Sequence, residues 1–388
     1  MSEVARSLGK KEIVILIWGH FGPYHIDRCE ALARYLDSRY CVIGLEIASA
    51  SDTYAWDKSP DNVSYDKNTL FPNMRYEETT FPARFFRILK FCWRMRADHV
   101  FISTFAPGEF FLIALSLRFL GRRLYAMQDS KFDDKQRFLF RELMKAIFYA
   151  PYHGVLVSGT RTKSYMHFMR FPIEKIFLGY DTVSIDRVRT LADSPPAPNG
   201  VPHSKRHFTV ISRLVPKKNI AMAIAAYDKY KLLAGSSARD LHVCGSGELE
   251  DHLKSDVAKR GLSGVEFHGF LPAAGVARIL ATSLALILPS TEEQWGLVVN
   301  EAGAMGVPIL CSDNVGARDS LVRTGVNGHV FEPDNIDGLA YLMHRLATDE
   351  AEWCRFAEAS CRIAAEADVS RFVEGVARAI GATRPSAY

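Results

Sequence analysis

The chain contains no Asp-x-Asp triplet and no Cys-x-x-Cys pair, and its seven cysteines are not grouped with histidines at metal-ligand spacing. Metal-bridged chemistry therefore has no ligand set visible along the sequence, and the expectation is metal: none. An odd number of scattered cysteines excludes a disulfide scaffold and fits reduced thiols in the cytoplasm. No apolar run approaches the roughly eighteen residues of a membrane span; residues 110–120 come nearest and carry Arg118. Residues 13–18 are too short for the apolar part of a signal peptide. Repeats and low-complexity tracts are also missing, which excludes solenoids. No sign of charge dominates: the net charge is +4, too little for a nucleic-acid signature. The distribution is uneven, with 28 Lys and Arg against 21 Asp and Glu up to Thr190, and 20 against 23 after it. A basic first part could favour an anionic membrane surface or acceptor.

What is present is a chain of 388 residues, 48% hydrophobic, enough for two domains. Short apolar runs at 12–18, 40–47, 99–104, 123–127, 154–158 and 175–178 read as buried parallel strands alternating with helices, such as 26–36 and 109–120. Residues 49–72 are polar and turn-rich, a loop or lid. The segment 194–202, Ser-Pro-Pro-Ala-Pro-Asn-Gly-Val-Pro, reads as a linker. Strands at 208–211, 241–243, 265–268, 284–288, 309–311 and 329–331 then restart the pattern as a second doubly wound sheet. The expected organisation is 1–193 as an N-terminal domain, 194–206 as linker, 207–366 as a C-terminal nucleotide-binding domain, and 367–388 as a terminal helix.

The stretch 289–308, Pro-Ser-Thr-Glu-Glu-Gln-Trp-Gly-Leu-Val-Val-Asn-Glu-Ala-Gly-Ala-Met-Gly-Val-Pro, carries two carboxylates at a strand–loop–helix corner, Glu293 and Glu301, with Gly296 at the turn. Ligands of doubly wound sheets bind at such corners, over a helix N-terminus that favours anions. Hydrolase carboxylates sit roughly 5–9.5 Å apart, whereas eight helical residues rise about 12 Å. The pair suits gripping two parts of a long ligand; the bland alternative is a solvated loop Glu and a helix-face Glu. A second corner, 211–219, Ile-Ser-Arg-Leu-Val-Pro-Lys-Lys-Asn, offers Arg213 and Lys218 where a strand ends and a helix begins. Fixed cations aimed at a departing phosphate lower the barrier to its release.

Glu-x7-Glu followed by Ala-Gly-Ala-Met-Gly-Val-Pro, together with Arg-Leu, then three residues, then Lys (Arg213 and Lys218), resembles the retaining nucleotide-sugar glycosyltransferases of family 4. Their fold is GT-B, α/β with two facing Rossmann-like doubly wound domains and a C-terminal helix crossing back to the first. The resemblance implies transfer of a hexose-type sugar from a nucleotide diphosphate donor, most commonly a UDP-sugar, to a glycan, lipid-linked sugar or small molecule. It implies no separate cofactor. It assigns Arg213 and Lys218 to the diphosphate, Glu293 to sugar hydroxyls and Glu301 to ribose hydroxyls. It also assigns the backbone at Gly296, Leu297 and Val298 to sugar and diphosphate, and Phe270 to the base. The family usually has Gly where Asn219 stands, and Gly-Gly and Glu where Val315, Gly316 and Asp319 stand. Gly245-Ser-Gly247 matches a family strand exit, which a tight turn also explains.

In the first domain, Gly22 in the loop 19–25 permits close backbone approach to donor phosphate, and His25 at the following helix start could donate to phosphate or acceptor, or be structural. Asp129 is a candidate for hydroxyl binding or capping; many relatives carry a His beside it, and this chain has Gln128. Residues 81–96 place Arg84, Arg87, Lys90 and Arg94 opposite Phe85, Phe86, Leu89 and Trp93. Such a helix can lie on an anionic bilayer, or pack its apolar side on the sheet and leave the arginines in water; the crossover position favours packing. Other functions on the same fold are a sugar-nucleotide epimerase, a phosphorylase or a non-catalytic nucleotide-sugar binder.

Overall fold

The structure is a computed structural model describing residues 11–36, 38–52, 63–104, 106–134 and 137–382. Two compact units divide it. The first runs to Thr182, apart from a short stretch at 133–135, and resumes at Val369; the second holds Val183–Asp368.

The first unit is a seven-stranded parallel sheet in the order β3-β2-β1-β4-β5-β6-β7. Its elements are β1 (Glu12–Trp18), α1 (Pro23–Tyr35), β2 (Tyr40–Ala50), β3 (Asp66–Arg75), α2 (Phe81–Arg94), β4 (His99–Ser103), α3 (Pro107–Phe119), β5 (Arg123–Gln128), α4 (Leu139–Tyr149), β6 (Gly154–Val157), α5 (Thr160–Phe168) and β7 (Ile176–Leu178). The central strands are apolar on both faces because helices cover both: Val14 and Leu16 point to one core, Ile13, Ile15 and Ile17 to the other.

The second unit opens with α6 (Ile185–Ala192) and continues β8 (His207–Ile211), α7 (Ile220–Ala234), β9 (Leu241–Cys244), α8 (Glu250–Lys259), β10 (Val265–Gly269), α9 (Ala273–Ala281), β11 (Ser283–Leu288), α10 (Leu297–Ala304), β12 (Ile309–Ser312), α11 (Arg318–Leu321), β13 (Gly328–Phe331), α12 (Ile336–Thr348) and α13 (Glu350–Ala364). Its parallel sheet is ordered β10-β9-β8-β11-β12-β13. α6 thus falls with the second unit, ahead of the 194–202 segment, where the sequence reading had placed it in the first. The reason is packing: α6 lies against α9 and α10, and Arg189 donates to the Ala304 carbonyl at 2.9 Å. α14 (Val369–Ile380) belongs to the first unit, where Phe372, Val373, Val376 and Ile380 join the core of Leu16, Trp18 and Leu32.

Two further expectations change. Residues 66–72 are not loop; they begin β3, the edge strand paired to β2. Its polar sequence and Pro72 suit an edge, where one side of the strand needs no partner. Residues 53–62, also in the expected loop, lie outside the described residues. α2 packs as expected in part: Phe85, Ile88 and Leu89 lie against the core and Arg87, Lys90 and Arg94 face outward, but Arg84, Phe86 and Trp93 depart from that pattern. Arg84 is buried, donating to Glu109 at 2.6 Å and to the Thr79 hydroxyl at 2.7 Å, while Phe86 and Trp93 stand 68% and 66% exposed beside Arg87, Lys90 and Arg94. On α4, for which the sequence analysis made no assignment, Glu142 points inward to Arg137, Lys145 and Tyr165, and Leu139, Phe140, Leu143, Met144 and Ile147 are exposed. Burial raises the Glu142 pKa, but hydrogen bonds from Lys145 and Tyr165 and the nearby Arg137 outweigh it and hold it below the usual value.

Candidate functional site

Lys218 and Glu293, 75 residues apart in sequence, meet as an ion pair. Two loops deliver them. β8 ends at Ile211, and a single turn of 3-10 helix, Pro216–Lys218, presents Lys218. β11 ends at Leu288, and the loop before α10 presents Glu293, whose Oε2 also accepts from the Ser290 hydroxyl at 3.3 Å. The loops are tied together nearby: Thr291 N–H donates to the Lys217 carbonyl at 2.9 Å. The Lys218 and Glu293 side chains are only 11% and 14% exposed, so each screens a charge that water reaches poorly.

Asn219 explains its own presence. It sits in the left-handed region, φ 55° and ψ 37°, a conformation that glycine and asparagine tolerate best. Its side-chain amide donates to the carbonyls of Pro289, 3.2 Å, and Pro333, 2.8 Å. Asparagine therefore keeps the turn that glycine would allow and adds one tether to the Glu293 loop and one to the segment after β13.

Arg213 is exposed, on a loop held from below by Ser212 N–H to Cys244 carbonyl, 3.0 Å, and Leu214 N–H to Ser246 carbonyl, 2.9 Å. A Cβ on Gly245 would lie 1.8 Å from the Ser212 carbonyl oxygen. The Gly245-Ser-Gly247 exit is thus required by the approach of the Arg213 loop, beyond being a turn. Phe270, just past β10, is half-exposed at 51%.

Gly296 caps α10 at φ 96° with no side-chain cap, so the leading N–H groups at Leu297 and Val298 are unsatisfied by helix geometry and suited to anions. Glu301 is buried one turn further along. Val315 is buried and bridges to Glu293 in strand-like fashion. Gly316 is the position that must lack a side chain, since a Cβ there would meet the Gln294 carbonyl oxygen at 1.7 Å. One glycine suffices for the close approach where relatives of the resembled family have two.

The first-unit candidates are occupied structurally. Gly22 N–H donates to His25 Nδ1 at 2.9 Å, so that N–H is spent within the turn rather than left for phosphate. His25 is buried against Trp18 and Phe21. Burial, then the Arg28 and His20 charges, drives its pKa well below the ordinary value, so the ring is neutral with its proton on Nε2. Glu46 steadies the same loop, accepting from Phe21 N–H at 3.0 Å and Thr69 at 2.7 Å. Gln128 spans its corner: its amide donates to Tyr149 OH at 2.7 Å and its carbonyl accepts from the N–H groups of Asp129 and Ser130 at 3.0 and 3.2 Å. It positions Asp129, which is half-buried. The tethers of Asn219 and Gln128 were missed in the sequence; a left-handed-tolerant asparagine after a short turn was the one available signal.

Residues 194–362 match the family model described as "Glycosyl transferases group 1". An uncharacterized glycosyltransferase of Methanocaldococcus jannaschii is 29% identical over 151 residues, 39% of this chain and 38% of that protein. The poly(glycerol-phosphate) alpha-glucosyltransferase of Bacillus subtilis is 30% identical over 189 residues, 48% of this chain and 27% of that protein. The chain thus spans well under two thirds of the length of these curated relatives. Anabaena HepE, solved in complex with UDP, superposes with a TM-score of 0.70 at 16% identity, over 96% of this chain and 100% of that one.

Proposed function

For a chain of GT-B fold whose residues 194–362 match the family model described as "Glycosyl transferases group 1", we propose a retaining transfer of a hexose-type sugar from a nucleoside diphosphate donor to a glycan or glycoconjugate acceptor. The observation that carries the reading is the convergence of Lys218 and Glu293 beside the Arg213 loop and the α10 N-terminus. In the reaction the bond from the anomeric carbon to the diphosphate oxygen breaks and a bond to the acceptor oxygen forms. The acceptor's proton passes to the leaving phosphate, which serves as base.

Lys218 and Arg213 stabilise the charge growing on that phosphate, and the α10 N–H groups add to it. Glu293 accepts hydrogen bonds from sugar hydroxyls and keeps the Lys218 ammonium placed. Glu301 takes ribose hydroxyls, and Phe270 offers a face to the base. UDP in the HepE structure and the glucosyltransferase name of the Bacillus relative support a UDP-hexose donor. The test is incubation with a panel of UDP- and GDP-sugars and candidate glycan or polyol-phosphate acceptors, with the anomeric configuration of the product read by NMR. An inverted linkage, or no acceptor-linked product from any donor that binds, overturns the proposal.

We also propose that the first unit touches an anionic membrane surface. Phe86 and Trp93 among Arg87, Lys90 and Arg94 on α2, and the outward leucines of α4, give apolar side chains interleaved with cations. No helix among the described residues is long and apolar enough to cross a membrane.

A further inference from the structure

Sequence spacing showed no metal-ligand set, yet strand pairing assembles one in the second unit. His242 on β9 sits directly opposite Glu266 on β10. The register then skips: Phe267 pairs with Val243 and Gly269 with Cys244, leaving His268 as the extra residue of a bulge. Bulges re-aim side chains, and here His268 Nε2 comes 3.0 Å from His242 Nδ1. Glu266 Oε2 lies 3.8 Å from His268 Nε2 and 3.8 Å from His242 Nε2. One ligand atom from each of the three residues falls within 4.8 Å of the others.

Ligand atoms about 2.0–2.1 Å from a tetrahedral zinc ion stand roughly 3.3–3.4 Å apart. His242 can offer only one of its two ring nitrogens to an ion, and with one atom per residue the set spans up to 4.8 Å, so the side chains must draw inward by rotation to close the site. The His242 ring is already held: it stacks on His207 at 3.7 Å between centroids, nearly parallel. His207 is itself anchored to the Thr282 and Thr209 hydroxyls at 2.9 and 3.1 Å. Two imidazoles and one carboxylate suit a borderline-soft divalent ion; magnesium and calcium prefer all-oxygen ligands.

We propose that His242, Glu266 and His268 bind one zinc-class divalent ion, with water completing the shell, and that the ion clamps edge strand β10 to β9. β10 pairs with β9 alone, and its residues are at best half-buried. A cross-link there secures an edge strand to its one neighbour in the sheet. The ligands lie within the strands, whereas Lys218, Glu293 and Arg213 lie in loops that follow strands, so the ion's role is structural.

The test uses untagged full-length protein stripped by chelator and dialysed. Titration with Zn2+ should show one ion per chain and raise the melting temperature; Mg2+ should do neither. Co2+ in place of Zn2+ should give the visible absorption of a tetrahedral site. His242→Ala and His268→Ala should lose both the binding and the thermal shift. Glu266→Gln, at an exposed side chain that leaves the fold intact, should weaken binding and abolish the shift. Stoichiometric Zn2+ binding that persists unchanged in folded Glu266→Gln and His268→Ala, or no saturable binding by the wild type, overturns the proposal.

Discussion

Replacing Lys218 by Ala tests both halves of the argument about the donor corner. The ammonium is paired with a Glu293 carboxylate that is only 14% exposed and that also accepts a 3.3 Å hydrogen bond from Ser290. Removing one partner of a buried pair costs about 3–5 kcal/mol, chiefly because a charge is left uncompensated. The pair retains some solvent contact, so the low end, about 3 kcal/mol, is the working figure. For a domain of this size each kcal/mol moves the melting temperature by roughly 2–4 °C, giving a fall of about 6–12 °C. Turnover should fall at least about 100-fold, as for loss of one preorganised charge donor. The double variant Lys218→Ala/Glu293→Gln separates the effects, because it removes the orphaned carboxylate charge. It should regain most of the lost stability while turnover stays low. Differential scanning fluorimetry and initial rates at saturating donor read the two quantities. If the double variant recovers turnover along with stability, Lys218 only neutralises Glu293 and the diphosphate is held elsewhere. Turnover near wild type in folded Lys218→Ala refutes the reasoning outright.

Glu301→Ala should chiefly weaken donor affinity, whereas Glu293→Ala should also lower turnover, since its sugar contacts change as the ring distorts; equal, purely affinity-based losses in donor titrations would contradict the assignment. Transfer should survive EDTA, because Arg213 and Lys218 supply the charge, while EDTA lowers the melting temperature of zinc-loaded protein; loss of turnover restored by Mg2+ or Mn2+ would oppose this. Asn219→Ala should destabilise by roughly 1 kcal/mol or more, from left-handed strain and two lost tethers; Asn219→Gly should cost less, and denaturant melts showing the reverse order would deny the left-handed requirement. Sedimentation with anionic liposomes should fall with salt and with Phe86→Ser/Trp93→Ser; indifference of the wild type to such liposomes at low salt sinks the membrane reading.

Most of both sheets was legible because buried parallel strands are uninterrupted apolar runs, as in 13–17 and 284–288. β3 was not, since an edge strand has one unpaired side and can be as polar as Asp66-Lys-Asn-Thr. On α2 the places of Arg84, Phe86 and Trp93 were misjudged for a related reason. Helical periodicity shows that two faces exist, and only contacts such as that of Arg84 with Glu109 reveal which side chains turn inward. At the site, residue types at Arg213, Lys218, Glu293 and Glu301 were readable from their spacing, but the Lys218–Glu293 contact joins loops far apart in sequence. Gly22 and His25 show the limit from the other direction: a glycine and a histidine in a strand-to-helix loop satisfy each other, and no pattern in the chain distinguishes that from readiness for a ligand.

The return of α14 to the first unit has a consequence for biosynthesis. The seven strands of that unit have all been made once Leu178 has emerged, yet the core around Leu16 and Trp18 still lacks Phe372 and Val376. At roughly 5–20 residues per second, translating the intervening second unit takes about ten to forty seconds. During that interval the nascent first unit exposes an apolar trough where α14 will sit, while the second unit, whose residues are contiguous from Val183 to Asp368, can close as soon as it clears the ribosome. The half made first is therefore the half completed last, and it is the one whose nascent form most needs a chaperone.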